Sequence, residues 1–140
     1  MVTKIEIENF ISLALIQARK ALSMGEVPIG SIIINEHKKI VGVGYNKTEK
    51  LSDPTAHAEI LAIKSAAKKL GDWRLDGHII FTTIQPCEMC MGAIIEARIE
   101  EVYYGSTNTK RRNKTKSIKS QLIKHAECTN LLKEFFKDLR

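Results

Sequence analysis

The sequence predicts an α/β fold in which helices are layered against a single sheet, and three observations carry that expectation. Short runs rich in β-branched and aromatic residues alternate with longer stretches whose apolar residues recur at helical spacing, which implies strands separated by helices. The first two of these runs, Ile29 to Ile34 and Ile40 to Tyr45, are parted only by the polar turn Asn35 to Lys38, so they form a hairpin. The chain has 140 residues, enough for one real core, and it contains no internal repeat or low-complexity linker, so residues 1–140 are expected to form a single domain.

Each element has its own local cause. From Ile5 to about Met24, Phe10, Leu13, Ala14, Ala18, Ala21 and Leu22 share one face, the pattern of an amphipathic helix packed on a sheet. Gly25-Glu26-Val27-Pro28 ends it. Beyond the hairpin, Asp53-Pro54 reads as an N-cap followed by a first-turn proline, opening a helix over Ala56 to Leu70 with Ile60, Leu61, Ile63, Ala67 and Leu70 at apolar positions. Gly71-Asp72-Trp73 connects it to a buried-strand run at 78–83. Pro86 starts a further helix that continues to about Ala97, and Ile99 to Tyr104 is a strand. A short strand is expected around Ser117 to Leu122. Leu131, Leu132, Phe135, Phe136 and Leu139 mark a closing helix. Trp73 is expected to pack, His78 to sit partly exposed at a strand start, and neither is assigned a function.

Composition narrows the function classes. Lys and Arg number 22 against 16 Asp and Glu, a formal charge of +6 that favours a polyanionic partner. The excess is concentrated between Gly105 and Lys124, where Lys110, Arg111, Arg112, Lys114, Lys116, Lys119 and Lys124 occur without one acidic residue. Three cysteines give no disulfide framework, which points to a reducing compartment. The apolar run Phe10 to Ile16 is far short of a membrane span and no cleavable signal is visible, so a soluble, cytoplasmic protein is expected.

His57-Ala58-Glu59 and Pro86-Cys87-Glu88-Met89-Cys90 carry the chemistry. One His, two Cys and a spare carboxylate suit a metal bound by three protein ligands, His57, Cys87 and Cys90. The fourth tetrahedral position is left to water, an arrangement that zinc uses for catalysis. Cys87 and Cys90, three residues apart at a helix start, share a face, and the positive helix end there favours thiolates. Two other uses of the cysteines are a thiol–disulfide pair, which leaves His57 and Glu59 unexplained, and a structural zinc site. The structural site needs a fourth ligand from Cys128, His78 or His125, none of which stands in a paired ligand spacing.

The pattern H-x-E…P-C-x-x-C is that of zinc-dependent nucleobase deaminases, and the chain resembles the bacterial tRNA adenosine deaminases within the wider cytidine-deaminase-like family. The resemblance rests also on Gly25-Glu26-Val27-Pro28-Ile29-Gly30, Gly44-Tyr45-Asn46, Asp53-Pro54-Thr55-Ala56, Met91-Gly92-Ala93-Ile94-Ile95 and the Glu127-Cys128…Leu131-Leu132…Phe135-Phe136 ending. It implies a three-layer α/β/α fold with a mixed, about five-stranded sheet, one Zn²⁺ per chain, a homodimer, and conversion of the wobble adenosine of a tRNA anticodon to inosine. It implies Glu59 as the catalytic proton shuttle, Asn46 as a hydrogen-bonding partner of the target base, and Ala58 as a backbone lining of its pocket; read alone, Asn46 at a strand end also suits a turn residue.

The chain departs from the family pattern in three places. Ile84-Gln85 replaces Leu-Glu before Pro86. Asn108 stands where the family has Asp, opening Asn108-Thr109-Lys110-Arg111-Arg112-Asn113 without the usual glycine. The segment that follows is shorter. Asn108, Lys110, Arg111 and Arg112 are the candidate nucleic-acid contacts. A free-base deaminase acting on cytosine or guanine could use the same metal cradle, and a catalytically idle RNA-binding module is a further alternative that leaves the intact Glu59 without a role.

Overall fold

The structure, a computed structural model, describes residues 1–108 and 118–138. Helix α1 (Lys4–Ser23) begins with a capping box: the Thr3 hydroxyl accepts the Glu6 N–H at 3.1 Å and the Glu6 carboxylate accepts the Thr3 N–H at 3.0 Å. Strands β1 (Gly30–Ile34) and β2 (Ile40–Tyr45) form the expected antiparallel hairpin. A short helix α2 (Thr48–Leu51), not foreseen from the sequence, precedes α3 (Ala58–Leu70). Then follow β3 (Ile79–Thr82), α4 (Glu88–Glu96), β4 (Glu101–Tyr104), β5 (Lys119–Leu122) and α5 (Ala126–Asp138).

The strands form one mixed sheet in the order β2-β1-β3-β4-β5. β1 is antiparallel to both β2 and β3, whereas β3, β4 and β5 run parallel to one another. Strand residues alternate between two cores, because successive side chains leave a strand on opposite faces. Ile32, Phe81 and Tyr103 point to one face and meet Ile7, Ile11 and Leu15 of α1 and Leu131 of α5. Ile33, Ile80 and Val102 point to the other and meet Ala62 and Ala66 of α3 and Met91 and Ile94 of α4. The result is the three-layer α/β/α arrangement with five strands.

The buried lines of both long sheet-packing helices differ from those that their periodicity suggests. In α1 the buried line runs through Ile7, Ile11, Ala14, Leu15, Ala18 and Ala21, while Leu13 and Leu22 face solvent. In α3 it runs through Ala58, Glu59, Ala62 and Ala66, with Ile60, Leu61 and Ile63 only half-buried and Leu70 exposed. The cause in α3 is close approach. A Cβ on Gly44 of β2 would lie 2.6 Å from the Ala62 nitrogen and collide with the Ala58 carbonyl. Glycine in the strand and alanine in the helix let the two backbones touch, which excludes larger side chains from the contact line.

Other expectations need correction. Residues 53–57 form a turn in which the Asp53 carboxylate accepts the Thr55 N–H at 2.8 Å, so α3 starts at Ala58 rather than Ala56. His78 is buried, its Nδ1 lying 2.9 Å from the Asp76 carbonyl oxygen. Trp73 is 52% exposed rather than packed inside, with the guanidinium groups of Arg74 and Arg98 over its ring at 4.6 and 5.3 Å from the centroid. Among the described residues, no helix is long and apolar enough to cross a membrane.

Candidate active site

Two helix starts converge on one point. His57 is the N-cap of α3 and Cys87 the N-cap of α4, and neither side chain caps its own helix. His57 Nδ1 lies 3.6 Å from Cys87 Sγ and 3.4 Å from Cys90 Sγ. The three ligand atoms all fall within 4.8 Å of one another and could hold a metal ion. Expectation and structure differ in one detail: His57 precedes the first turn and Cys87 precedes its helix, so the cap conformation, not a shared helix face, aims both side chains inward. Cys90 stands on the first turn of α4.

The electrostatics suit metal binding. Hydrogen bonding from Cys90 and then from His57 holds the Cys87 thiol far below its ordinary value, whereas Cys90, the partner in that bond and fully buried, is pushed up. One thiolate is thus favoured at neutral pH even without an ion, and a cation in the cluster would favour the second.

Glu59, the second residue of α3, is 3% exposed. Burial drives its carboxyl up to about 7, opposed by its own backbone N–H and by a hydrogen bond with Cys90. The carboxyl therefore sits beside the cluster without belonging to the three-atom group. A cleft of about 370 Å³ opens over these residues, lined by His57, Ala58, Glu59 and Cys87 on one side and Val27, Ile29, Asn46 and Thr48 on another, with Ile84, Gln85, Asn108, Leu132 and Phe136 completing it. Asn46, read from sequence alone as either a base contact or a turn residue, is 5% exposed, and its N–H donates to the Ile29 carbonyl at 3.1 Å. Asn108 is at the rim. Lys110, Arg111 and Arg112 lie outside the described residues.

Sequence reasoning missed Glu26. Its buried carboxylate accepts the backbone N–H groups of Glu49 at 3.1 Å and Lys50 at 2.7 Å, replacing the cap that Lys47 does not supply to α2. This ties the loop before β1 to the Asn46–Thr48 wall of the cleft. A charged residue between Gly25 and Val27 was the visible signal, because nothing around it is otherwise polar.

The fold and the His-Cys-Cys cluster beside a buried carboxylate define the class of cytidine-deaminase-like hydrolases. Residues 5–140 match the family model of the MafB19-like deaminases. The tRNA-specific adenosine deaminase of Aquifex aeolicus is 37% identical over 145 residues, covering 95% of each chain. A solved structure from work on A-to-I editing by tRNA:A34 deaminases at the wobble position of transfer RNA has a TM-score of 0.77 and 34% identity, covering 82% of this chain and 97% of that one. A guanine deaminase from Bacillus subtilis gives a TM-score of 0.69 and 28% identity over 93% of both chains. The chain belongs to the MafB19-like deaminases and to the family of the tRNA-specific adenosine deaminases, and it is a hydrolytic deaminase.

Proposed function

We propose that this enzyme hydrolyses the wobble adenosine of a tRNA anticodon to inosine, releasing ammonia, with one zinc ion held by His57, Cys87 and Cys90. The observation that carries the reading is the buried Glu59, beside that cluster but outside its three-residue group, lining a cleft that Asn46 also lines. The donor set fits zinc: one imidazole nitrogen and two sulfurs within 4.8 Å of one another, two of the three residues, His57 and Cys87, also lining the cleft. Zinc supplies Lewis acidity that brings the ionisation of a water into the neutral range.

The chain's own groups supply the rest. Glu59 accepts one proton of the attacking water and delivers it to the ring nitrogen beside the amine-bearing carbon; it then takes the proton of the newly added hydroxyl and passes it to the amine, so that the C–N bond breaks, the C=O forms and ammonia leaves. A carboxyl brought to about 7 by burial can take and give protons near neutral pH. The Asn46 amide donates and accepts at once and orients the purine edge. As the first residue of α3, Ala58 offers a backbone N–H that has no acceptor within its helix.

The substrate assignment draws on the tRNA-specific relatives and on the basic balance of the chain. Asn108, with Lys110, Arg111 and Arg112, would contact phosphates and position the anticodon loop without reading its sequence. The same reading places the enzyme in the cytoplasm as a single domain over 1–140. It also implies a homodimer, and Met89, 39% exposed, with Ile60 and Ile95, half-buried outside both cores, offers apolar area that a second copy would cover.

The decisive experiment offers the purified enzyme an anticodon stem-loop carrying the wobble adenosine, beside free cytosine, guanine and adenosine. Inosine formed in the stem-loop alone is expected. Turnover of free guanine or cytosine with an untouched stem-loop would replace this reading by a free-base deaminase.

A further inference from the structure

Gln85 immediately precedes the Pro86-Cys87 turn, and it is bonded twice to the loop that follows β4. Its backbone N–H donates to the Ser106 carbonyl at 2.8 Å, and its side-chain oxygen Oε1 accepts the Asn108 N–H at 3.2 Å. Because the Asn108 group is a backbone donor, the accepting atom has to be the amide oxygen, which fixes the side-chain orientation. The same loop is braced from the opposite side, where the Thr129 hydroxyl of α5 donates to the Ser106 hydroxyl at 2.9 Å. Gln85 and Asn108 both line the 370 Å³ cleft. Asn108 also lines a second, larger cavity of about 710 Å³ between β5 and α5, so it stands at the seam between the two.

We propose that Gln85 is a positioning residue that latches the 106–108 loop to the metal-bearing turn and thereby sets the wall over which the substrate strand enters. This rests on the reading of the cleft as the site of a nucleic-acid base. The backbone half of the latch fixes Ser106, and the side-chain half fixes Asn108. Removing only the side chain lets the loop pivot about Ser106 without disturbing Pro86, Cys87 or β4. Both an amide and a carboxylate offer the required oxygen. The latch therefore survives Gln85→Glu and is lost in Gln85→Ala.

The test compares wild type, Gln85→Ala and Gln85→Glu in zinc content, in stem-loop kinetics and in amide hydrogen exchange by NMR. In Gln85→Ala, KM for the stem-loop should rise roughly three- to tenfold, the worth of one hydrogen bond, while kcat stays within about twofold. The Asn108 amide should exchange roughly tenfold faster with the Val102 amide unchanged, and Gln85→Glu should restore both. Unchanged Asn108 exchange in Gln85→Ala, a fall in kcat with KM constant, or a Gln85→Glu variant as impaired as the alanine would overturn the latch. An inactive wild type would sink the substrate reading instead, and Asn108 exchange would still decide on the latch.

Discussion

His57 and Cys87 are the N-caps of two different helices, and their side chains meet at 3.6 Å instead of capping their own first turns. Each helix start thus forgoes a side-chain cap, an interaction typically worth about 1 kcal/mol. With two caps withheld, the zinc proposed for the cluster would help hold both helix starts together. Removing zinc with a chelator should therefore lower the melting temperature, and zinc at about a hundred times its dissociation constant should restore roughly 2.7 kcal/mol. Calorimetry with and without zinc checks this. A melting point indifferent to chelation would show that the cluster is assembled without metal.

Glu26 offers a test of the opposite wall. Glu26→Ala leaves the Glu49 and Lys50 N–H groups without their acceptor and should cost about 2–3 kcal/mol, since hydrogen bonds to a charged group are the stronger kind. Glu26→Gln keeps an acceptor and should cost less than half of that. Both should raise KM more than they lower stability would suggest, because the loop they loosen carries Asn46. Denaturant melts beside steady-state kinetics measure the two effects separately, and an unaltered KM in Glu26→Ala would show that the Asn46 wall holds without it.

Gly44→Ala should be disruptive out of proportion to one methyl group. The new Cβ would meet the Ala62 nitrogen at 2.6 Å and the Ala58 carbonyl, and backbone cannot turn aside as a side chain can. Overpacking of this kind costs about 1–3 kcal/mol. It would also lever the start of α3, and with it His57, away from Cys87 and Cys90. Weakened zinc affinity together with lowered stability is the expected signature, read by competition with a metallochromic chelator. Lowered stability with full zinc affinity would mean that the strain relaxes elsewhere.

These sites differ in how far the sequence disclosed them. His57, Glu59, Cys87 and Cys90 were legible because their chemistry constrains residue type and spacing together. The hairpin and the closing helix were legible because their periodicity and turn chemistry agree. The burial of Ala62 and Ala66 in place of Ile60 and Ile63 was not legible. It follows from Gly42 and Gly44 on a strand eighteen or more residues earlier, and no local pattern encodes which face comes closest to a neighbour. Helix α2 escaped for a related reason: its N-terminal acceptor is Glu26, more than twenty residues earlier. Asn46 could be read as a pocket residue or a turn residue until the fold buried it beside the cleft.

The apolar surface of α3 and α4 makes a prediction about assembly. Ile95 is half-buried and belongs to neither core cluster, so a charge there should leave the monomer fold nearly unchanged. In a self-associated pair the same charge would be desolvated against an apolar partner surface, which is costly. Under the proposed homodimer, Ile95→Glu should sediment as a monomer at concentrations where the wild type sediments as a dimer, with unchanged circular dichroism. Identical sedimentation of both proteins would place any dimer contact elsewhere.

Glu59 separates stability from function most sharply. The carboxyl is buried, and burial opposes its ionisation strongly enough to bring it to about 7 from an ordinary value of 4.5. A group held under such desolvation contributes little to the fold, and replacing it with an uncharged isostere removes that cost. Its place beside Cys90, on the lining of the cleft, is what the proposed proton transfer requires. Glu59→Gln should thus bind zinc stoichiometrically and melt no lower than wild type, while losing roughly two orders of magnitude or more in kcat. Metal analysis, calorimetry and single-turnover kinetics on a stem-loop check the three parts. Normal turnover would make Glu59 a packing residue and remove the proton shuttle, and a loss of zinc would show that the carboxylate helps hold the metal after all.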